Sequence, residues 1–235
     1  MNKDFTFGAV SGALLTLVLA LILALSGLIG VGGGSNSAGP VAYGEPTGGD
    51  YYEEEPQEVK APEITSDDWI FGNPDAKISI VEFSDIDCPF CASLHPTLEE
   101  VVKKYPNDVN WVYRHFPLGQ IHPEAEGKAI ASECVGAEYG NDTFWKYLSG
   151  LFTSQSSNEV IEEAEKLGLD TDKLKSCLAD RTYADDVAED FQSGVEAGTT
   201  GTPNSVIVFE GQALPVSGAL PFDQFDSIIT GLLEN

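Results

Sequence analysis

The residues best suited to nucleophilic, redox or metal chemistry in this chain are four cysteines and three histidines. Two of the cysteines, Cys88 and Cys91, enclose Pro89 and Phe90. Two sulfurs three residues apart share one helical turn, where they can close a small disulfide and alternate between dithiol and disulfide. The same spacing supplies half of a zinc site. A tetrahedral zinc site would call for a second close pair, yet Cys134 and Cys177 stand singly, and none of His95, His115 and His122 joins a cysteine at a finger or ribbon spacing. Redox chemistry is the favoured reading, with zinc and a purely structural Cys88–Cys91 disulfide as the alternatives. No cofactor and no metal enter the favoured reading.

Such a pair needs a rigid element to hold it. Ile78, Ile80, Val81 and Phe83 form the β-branched and aromatic run of a buried strand around Lys77–Ser84, and Pro89 suits the first turn of a following helix, where its missing N–H costs nothing. Cys88 therefore sits near a helix N-terminus. Unpaired N–H groups and the positive end of the helix dipole favour a thiolate there, so its pKa is expected below that of a free cysteine. Leu94, Leu98, Val101, Val102 and Tyr105 repeat at helical intervals up to Pro106, and Pro96 inside them should kink the axis. Val109–Phe116 alternates as a second strand, ended by Pro117.

From about His122 to Ala197 the pattern is helical throughout, with Asp142, Asn158 and Asp170 as candidate N-caps and Gly168 as a C-cap. Ser205–Phe209, a turn at Glu210-Gly211-Gln212, and Ala213–Val216 follow as a hairpin. A last amphipathic helix carries Phe222, Phe225, Ile228, Ile229, Leu232 and Leu233. Upstream, Ser66–Pro74 is expected to fold its aromatic residues over an edge of the core. The order is strand, helix, strand, helical block, hairpin, helix: an α/β domain over residues 66–235, with an all-helical insert at about 120–198.

Two segments precede it. No charged residue occurs from Phe5 to Val31, a run long enough to cross a bilayer, so residues 1–31 are expected to be a membrane anchor, with a cleaved signal as the alternative. Lys3 and the weak charge imbalance place the N-terminus inside and the domain outside the cytoplasm, secreted if cleavage occurs. Residues 32–65 are rich in Gly, Pro and acid and lack apolar periodicity, as expected of a disordered linker. The formal charge of -26 disfavours nucleic acid and anionic membrane surfaces as partners.

Together these features resemble the thioredoxin superfamily, and within it the DsbA-like thiol oxidoreductases, whose thioredoxin fold is interrupted by a helical block. The resemblance spans about Asp68 to Leu233. It is carried by Val-Glu-Phe-Ser-Asp ahead of Cys-Pro-Phe-Cys, a proline eight residues after the first cysteine, the helical insert, and Gly201-Thr202-Pro203 ahead of the strand Ser205–Phe209. It implies that Cys88 is the exposed attacking sulfur and Cys91 the buried resolving one. Glu82 would be a buried acid handling the proton of Cys91, and Pro203 would follow a cis peptide bond against the cysteines. Thr202, Pro89 and Phe90 would meet substrate. It further implies a structural disulfide between Cys134 and Cys177.

The partners implied are cysteine-containing exported proteins, a redox partner of unknown identity, and the membrane through the N-terminal segment. Phe90 stands where DsbA itself has a histidine, so the couple is expected to be less oxidising than the strongest members. Reduction or isomerisation by the same atoms, or a redox-silent peptide-binding module, are the competing readings.

Overall fold

The computed structural model describes residues 59–154 and 158–234; the expected anchor and most of the expected linker lie outside them. No helix among the described residues is long and apolar enough to cross a membrane. The framework is a five-stranded sheet in the order β1-β3-β2-β4-β5. At its centre β2 (Ile78–Ser84) is buried at every position, which is why its sequence reads as a near-continuous apolar run and not as an alternation. It pairs parallel with β3 (Val109–His115), from Ile78 opposite Val109 to Ser84 opposite His115. Parallel neighbours need a crossover, and α1 (Pro89–Lys104) supplies it, continuing through Pro96.

β4 (Asn204–Phe209) lies antiparallel on the other side of β2, and β5 (Gln212–Ser217) closes the hairpin at the sheet edge. Glu210 and Gly211 both have positive φ, the backbone of a two-residue turn matched to strand twist. Pro215 stands within edge strand β5.

The insert comprises α2 (Ala125–Tyr139), α3 (Asn141–Thr153), α4 (Glu159–Lys166), α5 (Thr171–Ala179) and α6 (Ala184–Glu196). On one face of the sheet Ile80, Trp111, Tyr113 and Ile207 pack with Leu94 and Leu98 of α1 and with Phe144 and Leu148 of α3. On the other, Val81, Phe83, Val112 and Phe116 form a second cluster, with Phe191 of α6 stacked on Phe116. Cys134 of α2 is bonded to Cys177 of α5. Closing a loop of 43 residues restricts the unfolded chain by about 4 kcal/mol in the chain-entropy account. α7 (Phe222–Leu233) lies beside α1, with the Tyr105 hydroxyl donating to Asp226 at 2.7 Å.

Three expectations are corrected. The aromatic stretch after Ser66 is not merely a flap: Trp69–Gly72 is a true edge strand, β1, antiparallel to β3 with Trp69 opposite Tyr113. Its four residues carry too little alternation to announce a strand, and its partner lies some forty residues on. The ordered domain also begins before residue 66. Val59 and Ile64 pack on the second cluster, and Arg114 holds this segment by donating to the Glu63 carbonyl at 2.6 Å and to both oxygens of Asp68. Lastly, Asp142 lies inside the first turn of α3, whose cap is Gly140; Asp170 does cap α5, accepting from the N–H groups of Asp172 and Lys173.

Close packing of α6 on the sheet depends on Gly194. A Cβ there would stand 2.6 Å from the Phe116 ring and 2.9 Å from Phe83, whereas at Gly127 of α2 it would meet nothing. Gly194→Ala should lower the unfolding free energy by about 1–3 kcal/mol in a denaturant titration, while Gly127→Ala should raise it by about 0.5–1 kcal/mol through helix propensity.

Candidate active site

The central strand delivers the chain to the mouth of the site at Ser84, and α1 begins four residues after Asp85. Cys88 is the N-cap of α1 with extended backbone angles, and Pro89 is its first helical residue. With no side-chain cap on this helix end, the first N–H groups remain available to the Cys88 sulfur. Cys91, one turn on, points into the core. Both are free thiols. Cys88 is less open than expected of an attacking sulfur: it keeps 5% of its surface against 0% for Cys91. The reason is the loop before β4, where the Thr202–Pro203 bond is cis and the Thr202 carbonyl accepts from Cys88 Sγ at 3.4 Å. Phe90 projects beside it, 66% exposed.

The two sulfurs differ sharply in acidity. The Cys91 thiol donating to Cys88 pulls the Cys88 pKa down to about 5; burial opposes this, and the main-chain N–H of Cys91, the Thr202 hydroxyl and the Phe90 N–H add to it. The helix N–H groups expected to favour the thiolate do so in support, and the partner thiol leads. Cys91 moves the opposite way, raised mainly by burial and then by its bond to Cys88 and the charge of Glu82. Such a pair is an acidic nucleophile backed by a thiol that gives up its proton reluctantly.

Glu82 lies beneath the pair at 1% exposure, buried as the resemblance implies. Across the sheet it sits opposite Tyr113 on β3 and Ser205 on β4. Burial raises its pKa to about 8, partly offset by Ser84 and Trp111 and raised further by Cys88. A neutral carboxyl is therefore the resting form below that pH.

Asp85, one residue past β2, was not singled out by its sequence context. It is 1% exposed, and its carboxylate accepts from the N–H groups of Asp87 at 2.8 Å and Leu118 at 2.7 Å and faces His122 Nδ1 at 2.9 Å. An aspartate whose side chain accepts from the N–H two residues on, three positions before a helix cap, is a familiar turn-former, which is the one local signal that could have marked it. Asp87 faces not the sulfur but Lys128 of α2, whose ammonium also meets Glu159. Of the other histidines, His95 packs among Trp111, Trp145 and Phe152 with Ser149 as its hydrogen-bond partner, and burial lowers its pKa to about 4. His115 is buried 3.1 Å from Glu133. Among the described residues no group of three or more His, Cys, Asp or Glu side chains is placed to hold a metal ion.

Two titrations follow. Alkylation of the reduced protein should rise with a midpoint near pH 5, at Cys88 and not at Cys91. For Glu82, a folded-state pKa raised from 4.5 to about 8 means that the folded protein holds a proton which the unfolded chain has released. The contribution to stability is full below 4.5 and is lost as pH rises through about 8. Glu82→Gln should therefore gain stability relative to the parent, in reduced protein, as pH climbs from 5 to 8.

A family model described as thioredoxin matches residues 65–230. Among solved structures, Pseudomonas aeruginosa DsbA2 is 28% identical, with a TM-score of 0.62 over 70% of this chain and 93% of that one. Oxidised BdbD from Bacillus subtilis shares the fold with a TM-score of 0.65 at 21% identity, covering 76% and 99% of the two chains. Among curated proteins, the Na(+)/H(+) antiporter NhaA 3 of Salinispora tropica is 34% identical over 139 residues, which is 58% of this chain and 21% of that protein. NhaA of Herminiimonas arsenicoxydans is 31% identical over 156 residues, 65% and 23% respectively. The chain thus spans about a fifth of the length of the curated relatives it matches. Because the family match runs from the segment leading into β1 through to α7, this chain belongs to the thioredoxin family, on its DsbA-like branch.

Proposed function

We propose that this chain is a protein dithiol-disulfide oxidoreductase whose Cys88-Pro89-Phe90-Cys91 site forms or exchanges disulfides in proteins outside the cytoplasm. The observation that carries the reading is the placement of the two sulfurs, Cys88 at the uncapped start of α1 against the cis Thr202–Pro203 loop and Cys91 one turn on and fully buried, an arrangement that lowers the Cys88 pKa to about 5 and raises that of Cys91. A sulfur that ionises below neutral pH is both a ready nucleophile and a good leaving group. In the oxidising direction a client thiolate attacks Cys88 of the Cys88–Cys91 disulfide. The S–S bond breaks, Cys91 takes up a proton, and a client–Cys88 mixed disulfide forms. A second client thiolate then attacks the client sulfur; the client leaves oxidised and Cys88 remains as thiolate. A redox partner must afterwards take two electrons from the dithiol.

Glu82 acts as the proton store beneath Cys91, accepting its proton when the site is reoxidised and returning it when the disulfide opens. Its raised pKa makes it a better acceptor toward pH 8 than at neutrality. Clients dock with extended backbone along the Thr202–Pro203 loop, in the manner of strand addition, and Phe90 offers an apolar contact beside the reacting sulfur. The disulfide joining Cys134 and Cys177 suits an oxidising compartment. Residues 1–31 tether the domain to the membrane through residues 32–65, and secretion follows if the anchor is cleaved. Sodium and proton exchange belongs to the curated relatives, of which this chain matches about a fifth, and is not carried across.

A thiolate near 5 falls between thioredoxin at about 7 and DsbA at about 3.5. The reduction potential should accordingly fall between about -270 mV and about -120 mV, read by equilibration with glutathione buffers; a value at the DsbA end would remove the role given to Phe90. Oxidised protein should speed refolding of a reduced, disulfide-requiring client, and Cys88→Ser should abolish this. Cys91→Ser should trap mixed disulfides that reveal the clients. A protein inactive both in oxidative refolding and in insulin reduction would instead be a redox-silent binding module.

A further inference from the structure

We propose that Asp85 is a positioning residue for the resolving sulfur, its buried carboxylate pinning the β2–α1 turn so that the Asp85 main-chain N–H stays aimed at Cys91 Sγ. The proposal rests on the exchange reading above and assigns one step of it. Asp85 touches both cysteines through its backbone: its N–H donates to Cys91 Sγ at 3.5 Å, and its carbonyl accepts from the Cys88 N–H at 3.0 Å. A carboxylate this buried is costly unless its oxygens are satisfied. Here one oxygen takes the Asp87 N–H, while the other takes the Leu118 N–H and meets His122. The first bond alone would form the turn. The others reach residues 33 and 37 positions away, in the segment between β3 and α2. The turn is thereby anchored to a second part of the fold.

The consequence falls on ring closure. With Cys88 held in a mixed disulfide, Cys91 gives its proton to the ionised form of Glu82 beneath it, and its thiolate attacks Cys88 Sγ. The Cys88–Cys91 bond forms, the departing thiolate leaves, and it is protonated from solvent. Burial works against a Cys91 thiolate, and the Asp85 N–H favours it. Attack by Cys88 draws on other groups, namely the Cys91 thiol, the N–H groups of Cys91 and Phe90, and Thr202. Loosening the clamp should slow closure and spare attack.

The test uses reduced full-length protein mixed with excess oxidised glutathione, quenched with acid and resolved by mass into dithiol, glutathione adduct and disulfide. Cys88 alkylation against pH is followed in parallel. In Asp85→Ala the Cys88 adduct should last about tenfold longer than in the parent, the scale of losing one charge-assisted hydrogen bond, with the alkylation profile unmoved. Asp85→Asn, which keeps an acceptor for the Asp87 N–H, should give an intermediate lifetime. His122→Ala removes only one contact of the clamp and should lengthen the lifetime less; these two variants carry the test if Asp85→Ala does not fold. Closure as fast as in the parent, or closure and alkylation changing together, overturns the proposal. A parent that forms no adduct overturns the exchange reading itself, which normal adduct formation with unaltered closure in the variants does not.

Discussion

The start of α1 imposes the asymmetry on which everything else depends. A helix end without a side-chain cap leaves N–H groups unpaired, and Cys88 sits where they converge, while the helical repeat carries Cys91 one turn further into the core. Two chemically identical side chains are thereby driven apart in acidity: the Cys91 thiol donating to Cys88 leads in lowering one, with the helix N–H groups in support, and burial raises the other. The sheet holds this difference in place: β2 is buried on both faces and paired on both edges, so the turn that leaves it has little freedom. The loop carrying Thr202 and Pro203 covers Cys88 from the opposite side and leaves that residue largely buried.

The insert contributes more than bulk. Lys128 on α2 holds Asp87, and the segment leading into α2 supplies Leu118 and His122 to Asp85. Lys128 thereby draws the Asp87 charge toward the insert, and that residue plays no leading part in the Cys88 shift. The insert and the redox turn are therefore one mechanical unit, with the Cys134–Cys177 bond bracing α2, the helix that carries Lys128, against α5.

What could be read from the sequence was whatever is local. The strand into Cys88, the helix after it, the hairpin turn at Glu210-Gly211 and the last helix all rest on periodicity or turn chemistry within a few residues. Burial of Glu82 came only from the family resemblance, since an acid within a strand can as well point to water; the fold buries it at 1% exposure. β1 was not legible, because four residues show little alternation and its partner strand lies some forty positions on. Nor were the contacts of Asp85 and His122, since a hydrogen bond spanning 37 residues leaves no trace in spacing. The incomplete exposure of Cys88 escaped for the same reason, as its cover comes from a loop 114 positions away.

Pro215 in β5 has a consequence for how the molecule behaves in company. β5 forms one rim of the sheet, with Pro215 opposite Val206 on its inner neighbour. A proline there lacks the donor that an incoming strand would need, and its ring crowds the approach. Polypeptide arriving in extended form is thus refused at this point of the rim, so that this edge of the sheet is a poor template for aggregation.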